Sequence, residues 1–318
     1  MSDSAAILGP HQNHISLTNA GERFAAKLFD CLWQQYRQRV SYVRDYEQLV
    51  MEAGATFVND HIAFRTFAAN QPMTGIASLS RIFEALGYRP AGVYAFDTNH
   101  LNAIHYQHPN ADFPKIFISE LKTWELSETC QQVIDQIVSS HRPPLELELL
   151  TSLRAMTEND AGGAELLSSI VDYIQTRPWE IPERQAVEAL NAESQYAAWV
   201  AVHGYNVNHF TSLINSHRVE TLADIEKTMS ALAAAGVPIK DEIEGAPGSK
   251  LRQSATQAVV IDVAVKDRGQ VTTMPWTYAY FELAERGDVT DAAGNRVRFE
   301  GFLGPQASQL FEMTRRQR

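Results

Sequence analysis

The chain has 318 residues, of which 45% are hydrophobic and 20% are charged, and its formal net charge at pH 7 is −11. Its mean hydropathy is −0.25, and no apolar run approaches the roughly 20 residues that span a bilayer, so we expect no membrane association. The negative charge argues against a general nucleic-acid binder, because such proteins usually carry a basic stripe. Residues 1–12 lack a secretory signal, and only two cysteines occur, Cys31 and Cys130; both features indicate a cytoplasmic protein with reduced thiols.

The first predicted elements are helices. Apolar side chains recur at helical spacing through residues 28–36 and again through residues 43–50, and Gly54 is expected to end the second helix. Nothing in this part suggests chemistry, so we expect it to serve packing.

Two parts of the chain then repeat one pattern. The first opens on a strand that carries His61, and the second opens on a strand that carries His209. Each strand is followed by an amphipathic helix that ends at a glycine, Gly87 or Gly236, after nearly the same number of residues. Several short alternating runs follow in both parts. The pattern predicts a duplicated β-α-β-β-β module.

Both modules are expected to close on a strand that ends in a glutamate. The run at residues 115–120 ends in Glu120, and the run at residues 277–282 ends in Glu282. We therefore equate Glu120 with Glu282 and predict an α+β fold of two pseudo-symmetric modules. The predicted order is an N-terminal helical segment, the first module, a helical insertion, the second module and a closing segment, at residues 1–54, 55–121, 122–202, 203–287 and 288–318.

The insertion has little strand character. Its patterns predict helices, the first capped by Ser127, near residues 127–137, 145–156, 164–174 and 183–200. It is expected to cover an edge or a mouth of the modules, as a scaffold, an oligomer interface or a substrate lid. In the closing segment, residues 301–307 suggest an ordered loop and residues 308–314 a short helix.

His61, His209 and Glu282 are the predicted metal ligands. Two imidazoles and one carboxylate make a facial triad, which leaves open positions on a divalent metal and is typical of non-haem Fe(II). Alternation along a regular strand would turn Glu285 to the opposite face, so Glu282 is preferred over Glu285. Arg65 shares a face with His61 and places a cation beside the metal, with a structural salt bridge as its alternative role.

Three segments carry these residues: HIAFR at residues 61–65, HGYNVNHFT at residues 203–211 and FELAERG at residues 281–287. They resemble the core motifs of the 2-oxoadipate dioxygenase/decarboxylase family, also called hydroxyglutarate synthases. That family belongs to the vicinal oxygen chelate superfamily of paired β-α-β-β-β modules. The resemblance covers about residues 55–287, and the chain is similar to a short member.

The resemblance implies a metal-dependent dioxygenase that decarboxylates a 2-oxo acid. His61, His209 and Glu282 would bind Fe(II), with Zn, Mn, Ni or Co as a substitute in a purified sample, and Arg65 would hold the carboxylates of the oxo acid. The substrate would chelate the metal through its 2-oxo and carboxylate oxygens, and reaction with O2 would turn 2-oxoadipate into 2-hydroxyglutarate and CO2. The expected partners are this small oxo acid and O2, and a homo-oligomer is left open.

Glu120 and His203 leave alternatives open. If Glu120 is a fourth ligand, the site favours a glyoxalase-like isomerase or lyase; if it only supports a ligand or closes a nearby hydrogen-bond network, three ligands remain and O2 can enter. His203 shares the face of His209 if that strand is regular, and would then serve as a hydrogen-bond partner of a ligand or as an acid/base. A metal-free binding protein of the same fold is the third alternative.

Overall fold

Helices begin the described chain, as the periodicity predicts. The computed structural model describes residues 9–69, 74–157 and 163–304; the turn predicted at residues 70–72 and the helix predicted at residues 308–314 lie outside these ranges. The N-terminal helices are α1 (Pro10–His14), α2 (Ala20–Arg39) and α3 (Tyr42–Glu52). Asn19 caps α2 by accepting a hydrogen bond from the Glu22 amide, and Gly54 follows α3 with φ of +64°.

The first module has the predicted order of elements. It consists of β1 (Asn59–Ala68), α4 (Ile76–Ala85), β2 (Arg89–Phe96), β3 (Leu101–Gln107) and β4 (Lys115–Lys122). β4 lies parallel to β1 and antiparallel to β3, and β3 pairs antiparallel with β2. Gly87 ends the helical part with φ of +97°, a conformation that glycine adopts at little cost.

The insertion is helical, with one more helix than its pattern predicts. It contains α5 (Glu128–Val138), α6 (Leu147–Arg154), α7 (Gly163–Gln175), α8 (Arg184–Glu193) and α9 (Gln195–His203). Ser127 caps α5 as predicted. The single helix predicted at residues 183–200 is two helices, because Ser194 takes an extended conformation and its hydroxyl caps α9 by accepting from the Ala197 amide. Cys31 in α2 is half-buried, Cys130 in α5 is buried, and both are free.

The second module also opens with a strand and a helix, but four strands follow its helix where three follow that of the first module. It contains β5 (Val207–Leu213), α10 (Ile225–Ala234), β6 (Leu251–Ala255), β7 (Val260–Asp267), β8 (Gln270–Thr277) and β9 (Glu282–Arg286). β7 and β8 form a hairpin in a sheet of their own. The strand predicted at residues 277–282 is therefore wrong: Thr277 ends β8, and the closing strand begins, rather than ends, at Glu282.

One seven-stranded sheet joins the modules, in the order β2-β3-β4-β1-β5-β9-β6. The opening strands β1 and β5 pair antiparallel at its centre, and each lies parallel to the closing strand of its own module. Helix α2 packs on one face, where the Trp33 ring lies 5.0 Å from the rings of Phe57 and Phe210. Alternation along β5 turns His209 to the other face, so the candidate site lies where the two modules meet.

The chain returns to this second face after β9. A small sheet of β10 (Asp288–Thr290) and β11 (Arg296–Arg298) leads into residues 299–303, which we call the strap. Among the helices in the described ranges, none combines the length and the hydrophobicity that crossing a membrane would require.

Candidate metal centre

Three predicted ligands meet in the structure. The Nε2 atoms of His61 and His209 are 3.3 Å apart. Nε2 of His61 lies 3.4 Å from Oε1 of Glu282, and Nε2 of His209 lies 3.4 Å from Oε2 of the same carboxylate. All three side chains are buried. One potential ligand comes from the first module and two come from the second.

Two β-bulges, one directly before each histidine, orient the histidine side chains. The register of β1 against β5 shifts at Asp60, which is an extra residue on β1, and again at Asn208, which is an extra residue on β5. A bulge re-aims the side chains around it. Each bulged side chain accepts a hydrogen bond from Nδ1 of the histidine that follows: Asp60 from His61 at 2.8 Å, and Asn208 from His209 at 3.0 Å. Both rings are thereby held with Nε2 towards the site.

The donor set fits a divalent metal. Two ligands about 2.1 Å from a metal lie about 3.0 Å apart at a right angle and about 3.4 Å apart at a tetrahedral angle. The 3.3 Å between the two imidazole nitrogens and the 3.4 Å from Nε2 of His209 to Oε2 of Glu282 therefore suit a shared ion. Gln253 donates from Nε2 to Oε1 of Glu282 at 2.6 Å. The other carboxylate oxygen, Oε2, is buried and has no hydrogen-bond partner among the described residues. A buried charged oxygen without a partner is costly, and a metal would satisfy it.

The electrostatics of Glu282 and His209 suit metal binding. Burial would raise the pKa of Glu282, but His209, His61 and the Gln253 amide outweigh it and hold that pKa below its ordinary value. Burial lowers the pKa of His209 to about 3. Burial also opposes the charged form of His61, yet hydrogen bonds to Asp60 and Glu282 raise its pKa. Glu282 is thus a carboxylate and His209 a neutral imidazole, the forms that metals bind.

Arg65 lies in the same pocket as the three potential ligands. It is only 2% exposed, and its guanidinium carbon lies 5.0 Å from the ring centre of Tyr196 and 5.3 Å from that of Trp199, both on α9. The positive charge of Arg65 also acts on the buried Tyr280 hydroxyl and opposes the rise in pKa that burial causes there. The insertion therefore supports one end of the pocket by stacking against this arginine.

The pocket is small and largely aromatic. It leaves about 50 Å³ open to the centres of water-sized molecules, which is room for roughly three or four waters. Its walls are formed by side chains from both modules and from the strap: His61, Ala63, Phe64, Arg65, Phe96, Phe117, Ser119, Asn208, His209, Gln253, Tyr280, Glu282, Phe302 and Leu303.

Glu120 caps a helix and lies away from the pocket. Its Oε2 atom accepts a hydrogen bond from the Ile76 amide at the start of α4, at 2.8 Å. Glu285 does the same for the Ile225 amide at the start of α10, also at 2.8 Å. The two glutamates are therefore counterparts, and each stabilises its helix through the N-terminal end of the helix dipole.

The strand registers give the same equivalence. In the first module, Ala63, two residues after the histidine, pairs with Phe117. In the second module, Thr211, two residues after the histidine, pairs with Glu282. Phe117 therefore stands where the second module has Glu282, and equating Glu120 with Glu282 is wrong. The prediction of Glu120 as an alternative ligand fails with it, because Glu120 points to the helix-covered face.

His203 also lies elsewhere. It is the last residue of α9 rather than part of the strand that carries His209, because β5 begins only at Val207. Its Nε2–H donates to the Thr277 carbonyl at 2.9 Å, and burial lowers its pKa to about 3. The predicted role beside the ligands is wrong; His203 ties α9 to the end of β8.

Four residues that the sequence reasoning missed complete the centre: Asp60, Asn208, Gln253 and Tyr280. The first two had a signal, since a polar side chain precedes the strand histidine in both modules. Gln253 lies on β6, beside β9, and no motif marks it. The Tyr280 ring lies 4.9 Å from that of His209.

The strap closes the pocket. The Phe302 ring lies 4.8 Å from the His61 ring and 4.9 Å from that of Phe117. The Phe302 amide donates to the Tyr94 hydroxyl at 3.1 Å. The ordered loop predicted near residue 301 is thus present in the described part of the segment, and it forms a wall of the candidate site.

Comparisons with known proteins agree with these motifs. A family model described as 2-oxoadipate dioxygenase/decarboxylase matches residues 26–314. The Arabidopsis thaliana protein named 2-oxoadipate dioxygenase/decarboxylase, chloroplastic, is 32% identical over 275 residues, which span 80% of this chain and 67% of that protein.

Two solved structures share the fold. The crystal structure of hydroxyglutarate synthase in complex with 2-oxoadipate from Oryza sativa has a TM-score of 0.74 at 24% identity and covers 95% of each chain. A protein from Ralstonia eutropha JMP134, described as a member of the glyoxalase superfamily, has a TM-score of 0.78 at 23% identity, covering 92% of this chain and 93% of that one. The predicted α+β fold of paired modules is confirmed. Since the family model spans most of the sequence, the chain belongs to the 2-oxoadipate dioxygenase/decarboxylase family.

Proposed function

We propose that this chain is a metal-dependent dioxygenase/decarboxylase that converts 2-oxoadipate and O2 into 2-hydroxyglutarate and CO2, with Fe(II) as its metal. The observation that carries the proposal is the meeting of His61, His209 and Glu282 with Arg65 in one buried pocket. Membership of the family and the fold shared with the 2-oxoadipate complex of the rice enzyme support the choice of substrate.

The chain's own contribution begins with an open coordination face. His61, His209 and Glu282 would hold the metal on one side and leave the pocket side open to the oxo acid and O2. When bound, Fe(II) supplies the binding and reduction of O2, which a polypeptide alone does not perform. Asp60 and Asn208 keep both imidazoles in the tautomer that presents Nε2. Gln253 fixes one oxygen of Glu282 and leaves the other free for the metal.

Arg65 would bind the distal carboxylate of the substrate. Four residues along β1 separate it from His61, so on a regular strand the two Cα atoms are about 13 Å apart and both side chains lie on the pocket face. A guanidinium can pair with both oxygens of a carboxylate. The stacked rings of Tyr196 and Trp199 hold the guanidinium in place, so little side-chain entropy is lost when substrate binds.

The aromatic walls would exclude water from the reacting end of the substrate. Phe117, Phe302 and Tyr280 surround the three potential ligands. The strap is held by backbone hydrogen bonds to Arg286 and Tyr94 and by the ion pair between Glu300 and Lys115.

The test is oxygen uptake by protein reconstituted with Fe(II), measured across a panel of 2-oxo acids together with CO2 release and 2-hydroxyglutarate formation. We expect 2-oxoadipate to give stoichiometric uptake and product, and the Glu282→Ala variant to give neither. Conversion of 2-oxo acids without oxygen uptake would move the assignment to an isomerase or lyase, and absence of metal binding would favour a binding protein.

Two further expectations from the sequence stay predictions. They are the cytoplasmic location and the use of O2 as a partner, with the oligomeric state left open. Size-exclusion chromatography with light scattering measures that state directly.

A further inference from the structure

Arg286 connects the strap to the candidate metal centre, and the proposed reaction assigns it no role. Its side chain is completely buried, as is that of Asp60, its ion-pair partner. Nε donates to Oδ1 of Asp60 at 2.5 Å, and Nη2 donates to Oδ2 at 2.8 Å. This is a bidentate pair, the geometry that fixes a carboxylate in both position and orientation.

The same carboxylate holds a potential metal ligand. Oδ2 of Asp60 accepts from both Nη2 of Arg286 and Nδ1 of His61, each at 2.8 Å. Burial opposes the charge on Asp60, but Arg286 and Lys115 outweigh it and hold its pKa well below the ordinary range. Asp60 is therefore an anion whose orientation depends on Arg286, and the His61 ring depends on Asp60.

The remaining donor group of Arg286 holds the strap. Nη1 donates to the carbonyl of Phe299 at 3.0 Å and to that of Gly301 at 2.8 Å. The guanidinium carbon also lies 5.3 Å from the ring centre of Phe302. Lys115 adds a second link, since its Nζ lies 2.5 Å from the Glu300 carboxylate and 3.9 Å from Oδ1 of Asp60.

We propose that Arg286 is a positioning residue that couples closure of the strap over the pocket to the orientation of His61. The inference rests on the proposed function in taking the three-residue centre as a metal site. If the strap moves away from the pocket, Arg286 loses both carbonyl acceptors. Its guanidinium is then oriented by the pair with Asp60 alone, and the position of Asp60 is less well fixed. Coupling of this kind is reciprocal, so metal binding must also favour the closed strap.

The probe is Co(II) alone, whose visible absorption reports ligand geometry. We would titrate the full chain and measure amide hydrogen exchange in residues 299–304 with and without the metal. The Phe299 amide donates to the Gly287 carbonyl and the Phe302 amide donates to Tyr94, so both report on closure. In the wild-type protein, we expect Co(II) to slow exchange at both amides.

Arg286→Lys removes the bidentate pair. We expect Co(II) affinity to fall by roughly 10- to 100-fold, the usual cost of losing a partner behind a metal ligand. We also expect a changed Co(II) spectrum and loss of the metal's effect on strap exchange. Arg252→Lys is the matched control, because Arg252 is a buried arginine on β6 that pairs with Glu226 and Glu285 instead. It should leave both readouts unchanged.

Asp60→Asn guards against a folding defect in the first variant. It removes the carboxylate that joins Arg286 to His61 but keeps the hydrogen bonds from Arg286 to the two strap carbonyls. Amide exchange in the strap should therefore stay slow without metal, and it should no longer respond to Co(II). Two results would overturn the coupling alone. One is a Co(II) affinity of Arg286→Lys within twofold of wild type, and the other is amide exchange in the wild-type strap that does not change when Co(II) binds. Failure of the wild-type chain to bind Co(II) overturns both the coupling and the proposed metal centre.

Discussion

The residue that precedes each histidine of the centre determines which ring nitrogen is free to bind a metal. A strand histidine has two ring nitrogens, and only the one left without a proton can bind a metal. In both modules the residue before the histidine lies at a bulge and accepts a hydrogen bond from Nδ1–H, Asp60 for His61 and Asn208 for His209. The difference in charge between these partners makes His61 the more basic of the two rings, which agrees with its raised pKa.

The first prediction separates two glutamates on one strand. Glu282→Ala removes the carboxylate that lies 3.4 Å from both imidazole nitrogens and should abolish tight metal binding and turnover. Glu285→Ala should keep the metal, because Glu285 caps α10 on the opposite face. Elemental analysis of both purified variants measures the difference. Full metal occupancy in Glu282→Ala would remove that residue from the centre.

The second prediction concerns Arg65. Arg65→Lys keeps a positive charge but cannot present two parallel donors to one carboxylate. We expect metal content to stay unchanged, while KM for 2-oxoadipate rises about tenfold or more, as a lost charge-assisted hydrogen bond of roughly 1.5–3 kcal/mol implies. Steady-state kinetics and a melting curve measure this. Unaltered kinetics with a large fall in Tm would make Arg65 a structural residue.

At the scale of elements, each module helix is capped by an acid from its closing strand. Gly75, with φ of +85°, precedes α4 and leaves no room for a Cβ, which would lie 2.6 Å from Oε2 of Glu120. The cap therefore needs both the glycine and the glutamate. Its counterpart on α10 uses Glu285 together with Asp224, whose side chain accepts from the Lys227 amide.

The third prediction follows from this cap. Glu120→Gln removes a negative charge from the N-terminus of α4, which should cost roughly 0.3–1 kcal/mol of unfolding free energy and leave metal content unchanged. Denaturant unfolding and elemental analysis check the two parts. Glu285→Gln is the related variant at the other helix; it should also keep the metal and should cost at least as much stability, because Glu285 pairs with Arg252 as well. Loss of metal in Glu120→Gln would return Glu120 to the centre.

Much of the architecture was accessible from the sequence because it depends on local pattern. Periodicity and glycine stops predicted both module helices, and paired strand histidines predicted two of the three potential ligands. Glu282 was identified although the strand around it was misplaced. Its pairing with Glu120 failed because the hairpin of β7 and β8 and the register of β9 depend on tertiary pairing, which alternation alone does not encode. Gln253 was missed for the same reason.

The fourth prediction concerns the strap. Phe302→Ala removes the ring that packs edge-on against His61, so the pocket should widen. We expect KM for 2-oxoadipate to rise and bulkier 2-oxo acids to be accepted better relative to it, while Co(II) binding persists through the unchanged ligands. Kinetics across a series of oxo acids measures the selectivity. Phe299→Ala is the control, since that ring contacts Lys250 rather than the pocket; equal changes in both variants would mean a general loosening of the strap.

For the whole molecule, the centre lies on the seam between the two modules. His61 belongs to the first module, His209 and Glu282 belong to the second, and β1 pairs directly with β5 between them. A bound ion would bridge the halves at the middle of the seven-stranded sheet. Binding to the folded chain but not to the unfolded one stabilises the fold by mass action.

The fifth prediction uses this linkage. Co(II) at one hundred times its Kd should add about 2.7 kcal/mol to the free energy of unfolding, which corresponds to a rise in Tm of about 3–6 °C for a chain of this size. Because the ion bridges both modules, the whole unfolding transition should move rather than one half of it. Calorimetry measures both features, and a chelator should reverse the shift. Glu282→Ala should melt at the same temperature with and without Co(II); an equal shift in that variant would place the stabilising ion elsewhere on the protein.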